Sequence, residues 1–249
     1  MSDATVYSVD GGVATITLNR PDNRNALSAE LCDSLGENVQ KALSDDDVRL
    51  VVLTNEGNTF CAGADLKSSG NPAKVSLVEI LEMIMDGPKP VVGKIAGHCT
   101  GGGNGLAAAC DISIAADDVF FAFTEVRIGV APAIISVVCL PKLRRSDALE
   151  LFLTGKRCPA PRAAQIGLIN RAVPRDELDA ALSELCADLI AGGPNALAAA
   201  KSLVYKVPGM ERAAAFKWTA QLSADLFRSE EAAAGIAGFR ERILPPWAK

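Results

Sequence analysis

Gly97-His98-Cys99-Thr100-Gly101-Gly102-Gly103-Asn104-Gly105-Leu106 is the most distinctive stretch of this sequence. It follows an apolar strand candidate at residues 91–96 and runs into an alanine-rich segment that predicts a buried helix beginning at Leu106. Three consecutive glycines before a helix let a ligand approach bare backbone N–H groups at the positive end of the helix dipole. The stretch therefore predicts a site for an anion or an oxyanion, while a tight turn or close packing is the alternative.

Strand candidates alternate with helix candidates along the chain, which is typical of an α/β protein. The pattern predicts a hairpin around Asp10-Gly11-Gly12 and a helix that begins after an N-cap at Ser28 and ends near residue 43. The remaining strands are predicted at residues 49–54, 91–96, 112–115 and 119–123, and the remaining helices at 75–85, 177–190, 195–205 and 212–239.

The composition argues against several classes of protein. With 249 residues, of which 49% are hydrophobic, the chain can build a large core and is not disordered. Its net charge of −5 argues against binding to nucleic acid or to an anionic membrane surface. Seven cysteines without a C-x-x-C pair, and one histidine, predict no metal site. Neither a signal peptide nor a bilayer-spanning apolar stretch is evident, so we expect a soluble cytoplasmic protein.

Two further motifs accompany the glycine stretch, Phe60-Cys61-Ala62-Gly63-Ala64-Asp65-Leu66 before it and Phe123-Thr124-Glu125-Val126-Arg127-Ile128-Gly129 after it. Together the three motifs resemble the crotonase (enoyl-CoA hydratase/isomerase) superfamily. The resemblance covers almost the whole chain and includes shorter matches at Asn19-Arg20-Pro21, Asn25-Ala26-Leu27, Cys110-Asp111-Ile112, Leu153-Thr154-Gly155, Gly167-Leu168-Ile169 and Gly238-Phe239-Arg240.

The resemblance implies a fold that periodicity alone does not reveal. It implies a spiral of strand-strand-helix repeats over residues 1–190 and a helical C-terminal segment over residues 191–249. No clear internal repeat in the sequence supports the spiral directly. In the family, the C-terminal helices bury their apolar faces partly against neighbouring subunits, so the resemblance also implies a homotrimer or a dimer of trimers.

The resemblance also implies the chemistry of an acyl-CoA thioester that passes through an enolate. Two backbone N–H groups would bind the thioester oxygen, and each such donor is worth roughly 3 kcal/mol in the transition state. By motif position these donors are the amides of Ala64 and Gly102. Coenzyme A is then part of the substrate, and no separate cofactor or metal is expected.

Glu125 is the candidate acid and base. The hydratases that the sequence resembles carry two glutamates at family positions, whereas this chain has Gly105 at the first position and Glu125 at the second. The alternative for Glu125 is a surface carboxylate that pairs with Arg127. A single catalytic carboxylate can activate water for hydration or move a proton between carbons in a double-bond isomerisation.

The segments 101–106 and 124–136 resemble a bacterial subgroup with a single glutamate that includes methylglutaconyl-CoA hydratases. This likeness favours hydration of a small or branched enoyl-CoA and also allows a carboxylated acyl group. The alternatives are an enoyl-CoA isomerase and a protein without catalytic activity that binds acyl-CoA or serves as an RNA-associated scaffold.

The residues expected to bind the substrate surround the same motifs. Arg24 can meet a phosphate of coenzyme A or remain solvated, Asn104 can orient a water or cap a helix, and His98 can titrate or simply pack. We expect the shape of the acyl pocket to depend on residues 68–75, on Ile134 and Ile135, and on the C-terminal helices. The full set of binding candidates is Arg24, Ala26, Ala62, Asp65, Leu66, Gly101, Asn104 and Gly105.

Overall fold

Two β-sheets form the framework of the computed structural model, which describes residues 3–67 and 72–248. The strands in the described residues are β1 (Thr5–Asp10), β2 (Val13–Leu18), β3 (Leu50–Asn55), β4 (Thr59–Cys61), β5 (Val91–Ile95), β6 (His98–Thr100), β7 (Ile112–Ala116), β8 (Phe120–Ala122), β9 (Cys158–Pro159) and β10 (Arg171–Val173). The helices are α1 (Ala29–Ser44), α2 (Leu77–Asp86), α3 (Gly102–Ala109), α4 (Ala133–Cys139), α5 (Arg145–Thr154), α6 (Ala160–Gln165), α7 (Leu178–Ala191), α8 (Pro194–Lys206), α9 (Arg212–Phe227) and α10 (Glu230–Glu241).

The elements at the start of the chain confirm the local predictions. Strands β1 and β2 form the predicted antiparallel hairpin, with Asp10 opposite Val13 across the turn. Helix α1 begins after Ser28, whose side chain accepts a hydrogen bond from the Leu31 N–H. A hydroxyl at this position satisfies an N–H group that has no partner within the helix.

The fold is the spiral that the resemblance implied. Three consecutive units in the described residues each consist of two strands and a helix: β3-β4-α2, β5-β6-α3 and β7-β8-α4. The first strand of each unit joins a six-stranded sheet with the order β1-β2-β3-β5-β7-β10, and the second joins a four-stranded sheet with the order β4-β6-β8-β9. Because corresponding strands are parallel neighbours, the segments that follow β4, β6 and β8 lie side by side.

The core lies between the sheets and the helices. Strand β3 is buried at every position because it pairs in parallel with β2 on one side and β5 on the other. Helix α2 turns Ile80, Leu81 and Ile84 inward and begins with a reciprocal capping box between Ser76 and Glu79. The predicted helix at 75–85 is therefore confirmed with a small shift of its ends.

The glycine stretch differs in detail from its prediction. A short strand, β6, lies between the predicted strand and the helix, and α3 begins at Gly102 instead of Leu106. The helix can start this early because Gly101 adopts a φ of 54° and a ψ of −127°, a backbone conformation that is accessible essentially to glycine alone. The first turn of α3 therefore contains the glycines themselves.

The C-terminal part is helical, as predicted, but one predicted helix is wrong in its extent. Residues 212–239 form two helices, α9 and α10, which are separated at Arg228 and Ser229. The Ser229 hydroxyl accepts a hydrogen bond from the Ala232 N–H and so caps the start of a new helix. The alanine-rich composition on both sides of Ser229 favoured one continuous helix in the prediction. The proposed boundary between residues 190 and 191 lies at the end of α7 and stays a prediction. Among the described residues, no helix is both long and apolar enough to span a bilayer.

Candidate active site

A cavity of about 520 Å³ opens where the segments after β4, β6 and β8 meet. The motif residues that line it come from all three segments: Ala62, Gly63, Ala64, Leu66, Gly101, Gly102, Thr124 and Glu125. The structure therefore brings together three motifs that are up to about 60 positions apart in the sequence, because parallel strands end at the same edge of a sheet.

Two backbone amides at the cavity are free to bind a ligand. Among the described residues, the N–H groups of Ala64 and Gly102 donate to no other protein group. The two turns that carry them are in contact, since a Cβ added to Gly63 would lie 3.0 Å from the Gly102 nitrogen. Gly63 has a φ of +82°, which an L side chain rarely adopts, so its turn also depends on glycine.

The turn at Gly63 is held by the segment that precedes α1. The Leu27 N–H donates to the Gly63 carbonyl at 2.8 Å, and the Ala62 N–H donates to the Arg24 carbonyl at 3.1 Å. Asn25 anchors this segment from a fully buried position, where its Nδ2 donates to the Thr59 carbonyl at 2.7 Å. These bonds fix the direction of the Ala64 amide, which a preorganised oxyanion site requires.

Glu125 presents its carboxyl to the same cavity. It lies in a 3₁₀ turn, Thr124–Ile128, directly after β8, and is half-buried. A Cβ added to Gly101 would lie 3.4 Å from Oε1 of Glu125, which places the carboxyl beside the glycine stretch. Its Oε2 is buried without a hydrogen-bond partner among the described residues. Burial raises the pKa of the Glu125 carboxyl above its usual value, as suits a group that must both take and return a proton.

Two alternatives left open by the sequence are decided by side-chain contacts. Arg127 does not pair with Glu125, because its guanidinium donates to the Thr154 carbonyl at 3.4 Å. His98 packs against Phe120, with a ring separation of 4.0 Å, and its Nδ1 accepts from the Phe120 N–H. Burial lowers the pKa of His98, and the residue lies outside the cavity lining.

Gly105 faces another helix instead of the cavity. A Cβ added to Gly105 would lie 2.3 Å from Cγ2 of Ile135, so the two residues are in direct contact between α3 and α4. The position at which the related hydratases carry their first glutamate is therefore closed by an apolar side chain. Glu125 is the only carboxyl among the described residues that line the cavity; the other ionisable side chain in the lining is the thiol of Cys32, whose pKa burial raises to about 11.

Asn104 is also buried behind the cavity, with no exposed surface. Its Nδ2 donates to the Ala122 carbonyl at 2.8 Å, and the Gly101 N–H donates to the same carbonyl at 3.1 Å. Ala122 ends β8 and is three residues from Glu125. Asn104 thus connects the helix that carries the Gly102 amide to the strand that precedes Glu125. It lies outside the described cavity lining, and its Oδ1 has no hydrogen-bond partner among the described residues, so its water-orienting role stays a prediction.

Apart from Asn104 and Gly105, which are buried behind the cavity, the expected binding residues fall into two groups. Ala62, Leu66 and Gly101 line the cavity, in common with the expected catalytic residues. Three others lie outside the lining on the loops beside it: Arg24 is exposed, Ala26 is buried, and Asp65 accepts from Asn23 Nδ2 at 3.2 Å. Of the segment 68–75 expected to shape the pocket, residues 68–71 lie outside the described part of the chain.

Several lining residues were not expected from sequence. Leu27 and Leu77 contribute apolar surface, as do Ile128 and Val130 in the segment that follows Glu125. Ile134 and Ile135, which were expected to shape the pocket, do line it. The sequence did contain a pattern that could have predicted these residues. Residues 128–135 form an apolar run without strand or helix periodicity, and the side chains of such a run need an apolar surface or a ligand to cover them.

Several known proteins are similar to this chain in sequence and in fold. The chain is 30% identical to a carnitinyl-CoA dehydratase of Salmonella typhi, over 99% of both chains. Its fold is similar to the crystal structures of an enoyl-CoA hydratase of Mycobacterium smegmatis (TM-score 0.92, 30% identity, 99% of both chains) and of one from Mycobacterium avium (TM-score 0.75, 40% identity, 99% and 100% coverage). The sequence model of the enoyl-CoA hydratase/isomerase family matches residues 8–249, and the chain belongs to this family.

Proposed function

We propose that this protein is a cytoplasmic enoyl-CoA hydratase that adds water across the 2,3 double bond of a small or branched enoyl-CoA thioester. One observation carries the proposal: a single half-buried carboxyl, that of Glu125, shares a cavity with two unengaged backbone amides. Such a pair of amides binds a developing oxyanion, and the carboxyl supplies proton transfer. The names of the hydratase and dehydratase relatives support the same direction.

The proposed reaction proceeds through an enolate. The thioester oxygen accepts hydrogen bonds from the N–H groups of Ala64 and Gly102. Glu125 takes a proton from a water molecule while the water oxygen bonds to C3, and the electron pair of the double bond moves onto the thioester oxygen. The protonated Glu125 then returns the proton to C2 as the enolate collapses. One water is added, and Glu125 ends in its original state.

The coenzyme A portion would extend from the cavity over the neighbouring loops. We propose that backbone groups near Ala62 and Asp65 contact the adenine and that Arg24 meets a phosphate. The exposure of Arg24 is compatible with this role, and its carbonyl is already held by the Ala62 amide. A planar guanidinium suits bidentate contact with a phosphate group.

Double-bond isomerisation is a second candidate, favoured by one specific observation. Ile135 closes the position next to Gly105, so Glu125 is the only carboxyl among the described lining residues that can carry out the proton transfers. Isomerisation of a 3-enoyl-CoA needs only one such group, which removes a proton from C2 and returns it to C4. It does not require a bound water.

A product assay separates the two reactions. Straight and branched 2-enoyl-CoA and 3-enoyl-CoA thioesters are incubated separately with the protein, and the products are separated by liquid chromatography and identified by mass spectrometry as water adducts or as double-bond isomers. Hydration predicts the water adduct. Conversion of 3-enoyl to 2-enoyl thioesters without any adduct would replace the hydratase by the isomerase, and turnover of neither would leave an acyl-CoA-binding protein.

Replacement of the catalytic carboxyl tests the mechanism. We expect Glu125→Gln to lower kcat by about 10²- to 10⁴-fold, because it removes proton transfer while keeping the shape of the side chain. KM should change little. The matched control is Glu150→Gln, which changes a carboxylate that is exposed and paired with Lys156. A Glu125→Gln variant with more than about a tenth of the wild-type rate contradicts the assignment.

We also propose that the protein assembles as a homotrimer or a dimer of trimers. The C-terminal helices leave large apolar side chains uncovered, with Phe216, Phe227 and Phe239 exposed by 70%, 73% and 87%. Exposed apolar surface of this kind is typical of an interface. Light scattering coupled to gel filtration measures the mass, and a monomer at micromolar concentration contradicts the proposal.

A further inference from the structure

The cavity is lined almost entirely by apolar groups. Ile128, Val130, Ile134 and Ile135 supply one side, while Leu27 and Leu77 supply another. Thr124 adds a hydroxyl and Glu125 adds a carboxyl. Among the described lining residues there is no lysine, arginine or histidine. Apart from the Thr124 hydroxyl, the Cys32 thiol and the two backbone amides assigned to the thioester oxygen, a ligand group meets hydrocarbon and one acid among the described lining residues, with no side-chain cation.

The basic side chains closest to the cavity in sequence are directed elsewhere or lie outside it. Arg127, two residues after Glu125, donates its guanidinium to the Thr154 carbonyl. Lys67 and Lys74 are exposed and do not contribute to the lining. Residues 68–71, between these lysines, read Ser-Ser-Gly-Asn and carry no charged side chain.

A second carboxylate in this cavity would meet two penalties. It would lose hydration against an apolar wall that offers no cation in return, and a buried unpaired charge is strongly disfavoured. It would also share a half-buried space with Glu125, and two carboxylates in one site repel each other. The raised pKa of Glu125 shows that this environment already opposes one negative charge.

We infer that the cavity accepts acyl groups with an uncharged hydrocarbon chain and rejects acyl groups that end in a carboxylate; this inference rests on the proposed function. It narrows the expectation from sequence, which allowed a carboxylated acyl group because of the likeness to methylglutaconyl-CoA hydratases. The resemblance follows the backbone motifs, whereas the choice of acyl group depends on the side chains of residues 128–135.

Equilibrium binding to wild-type protein tests the inference without requiring turnover. Pentanoyl-CoA and glutaryl-CoA have acyl groups of equal carbon number that differ by a terminal methyl group against a carboxylate. We expect titration calorimetry to show a dissociation constant about 100-fold higher for glutaryl-CoA, because its charge is buried without a partner. Equal or tighter binding of glutaryl-CoA overturns the inference.

A designed cation provides a second measurement. Ile134 lines the cavity and is 49% exposed, so Ile134→Lys can place an ammonium group there without filling the core. Relative to the uncharged control Ile134→Met, the lysine variant should bind glutaryl-CoA about 10-fold more tightly and should gain nothing toward pentanoyl-CoA. Failure of the lysine to improve glutaryl-CoA binding, in a variant that binds pentanoyl-CoA normally, contradicts the electrostatic argument.

Turnover separates this inference from the proposed function. If pentanoyl-CoA is preferred but neither 2-pentenoyl-CoA nor glutaconyl-CoA is hydrated, the proposed function fails and the acyl preference stands. If both enoyl-CoA esters are hydrated with equal kcat/KM, the proposed function stands and the acyl preference fails.

Discussion

In the proposed mechanism, Glu125 serves catalysis at the expense of stability. Burial raises its pKa in the folded protein, so folding disfavours the ionised carboxylate. Below the pKa of an unfolded glutamate, about 4.3, the group is protonated in both states and the penalty is absent. The penalty develops as the pH rises through this range and is complete above the raised pKa.

The same reasoning predicts that Glu125→Gln is more stable than wild type at pH 7, although we expect it to lose most of its activity. Glutamine has a similar shape but no charge to desolvate, so its melting temperature should be higher at pH 7 and equal to that of wild type near pH 4. Differential scanning fluorimetry at the two pH values measures the difference. Glu150→Gln, in an exposed pair, should show no comparable gain. Lower stability of Glu125→Gln at pH 7 would show that the carboxylate has a stabilising partner.

Asn104 is predicted to position the site without touching the substrate. Asn104→Ala removes the bond from Nδ2 to the Ala122 carbonyl and should destabilise the protein by about 1 kcal/mol. Hydration and the exchange of the substrate's acidic protons with solvent should then fall together, because the proposed mechanism uses the Gly102 amide and Glu125 in both reactions. Parallel measurements in deuterated water give both rates. Loss of hydration alone would instead indicate that Asn104 orients the attacking water.

At the scale of elements, the contact between α3 and α4 explains why α3 contains Gly105, although glycine is a poor helix former. Alanine is a better helix former than glycine by about 1 kcal/mol, and Gly105 lies within α3. A Cβ at this position would nevertheless meet Cγ2 of Ile135 at 2.3 Å and its Cβ at 3.0 Å. Packing between the helices therefore requires glycine here, and a glutamate would be excluded for the same steric reason.

We predict that Gly105→Ala destabilises the protein by about 1–3 kcal/mol, as expected for overpacking in a core. Ile135→Ala should also destabilise it, by about 2–5 kcal/mol, because it leaves a cavity. In the double variant the new methyl group occupies space that Ile135 has vacated, so its loss of stability should be smaller than the sum of the single losses. Urea unfolding of the four proteins measures the coupling, and simple additivity would contradict the proposed contact.

At the scale of the whole molecule, Arg49 joins the C-terminal residues to the β-sheet core. Arg49 directly precedes β3, and its guanidinium donates to the carbonyls of Gly192 at 2.7 Å and Trp247 at 3.0 Å. The Trp247 indole completes the connection by donating to the Ala191 carbonyl at 3.1 Å. One half-buried cation thus holds the end of α7 and the end of the chain together.

Replacement of this cation should loosen the C-terminal part. We expect Arg49→Met to lower the free energy of unfolding by about 1.5–3 kcal/mol, because methionine keeps the apolar stem but leaves the carbonyls without their charged donor. Arg228→Met is the control, since Arg228 belongs to an exposed pair with Asp225 and should cost less than about 1 kcal/mol. Urea unfolding measures both values, and equal losses would contradict the role of Arg49.

The sequence by itself determined the features that depend on neighbouring residues. The β1–β2 hairpin follows from an alternating pattern around two glycines, and α1 follows from an N-cap at Ser28 and an apolar stripe. The glycine stretch predicted an anion site at the turn before α3, and the family resemblance added the turn at Gly63; the structure places both turns at the cavity, with glycine required by the backbone conformation at Gly63 and Gly101.

Only the tertiary structure decided which side chains share a space. The contact of Gly105 with Ile135, the burial of Asn104 and the apolar lining from Ile128 onward all join residues from different elements. Helix and strand periodicity report on a single element and do not specify which surface another element will cover. The glycine motifs therefore predicted the backbone turns at the site. Packing between elements decided which charged side chains line the cavity and which side chains form the acyl pocket.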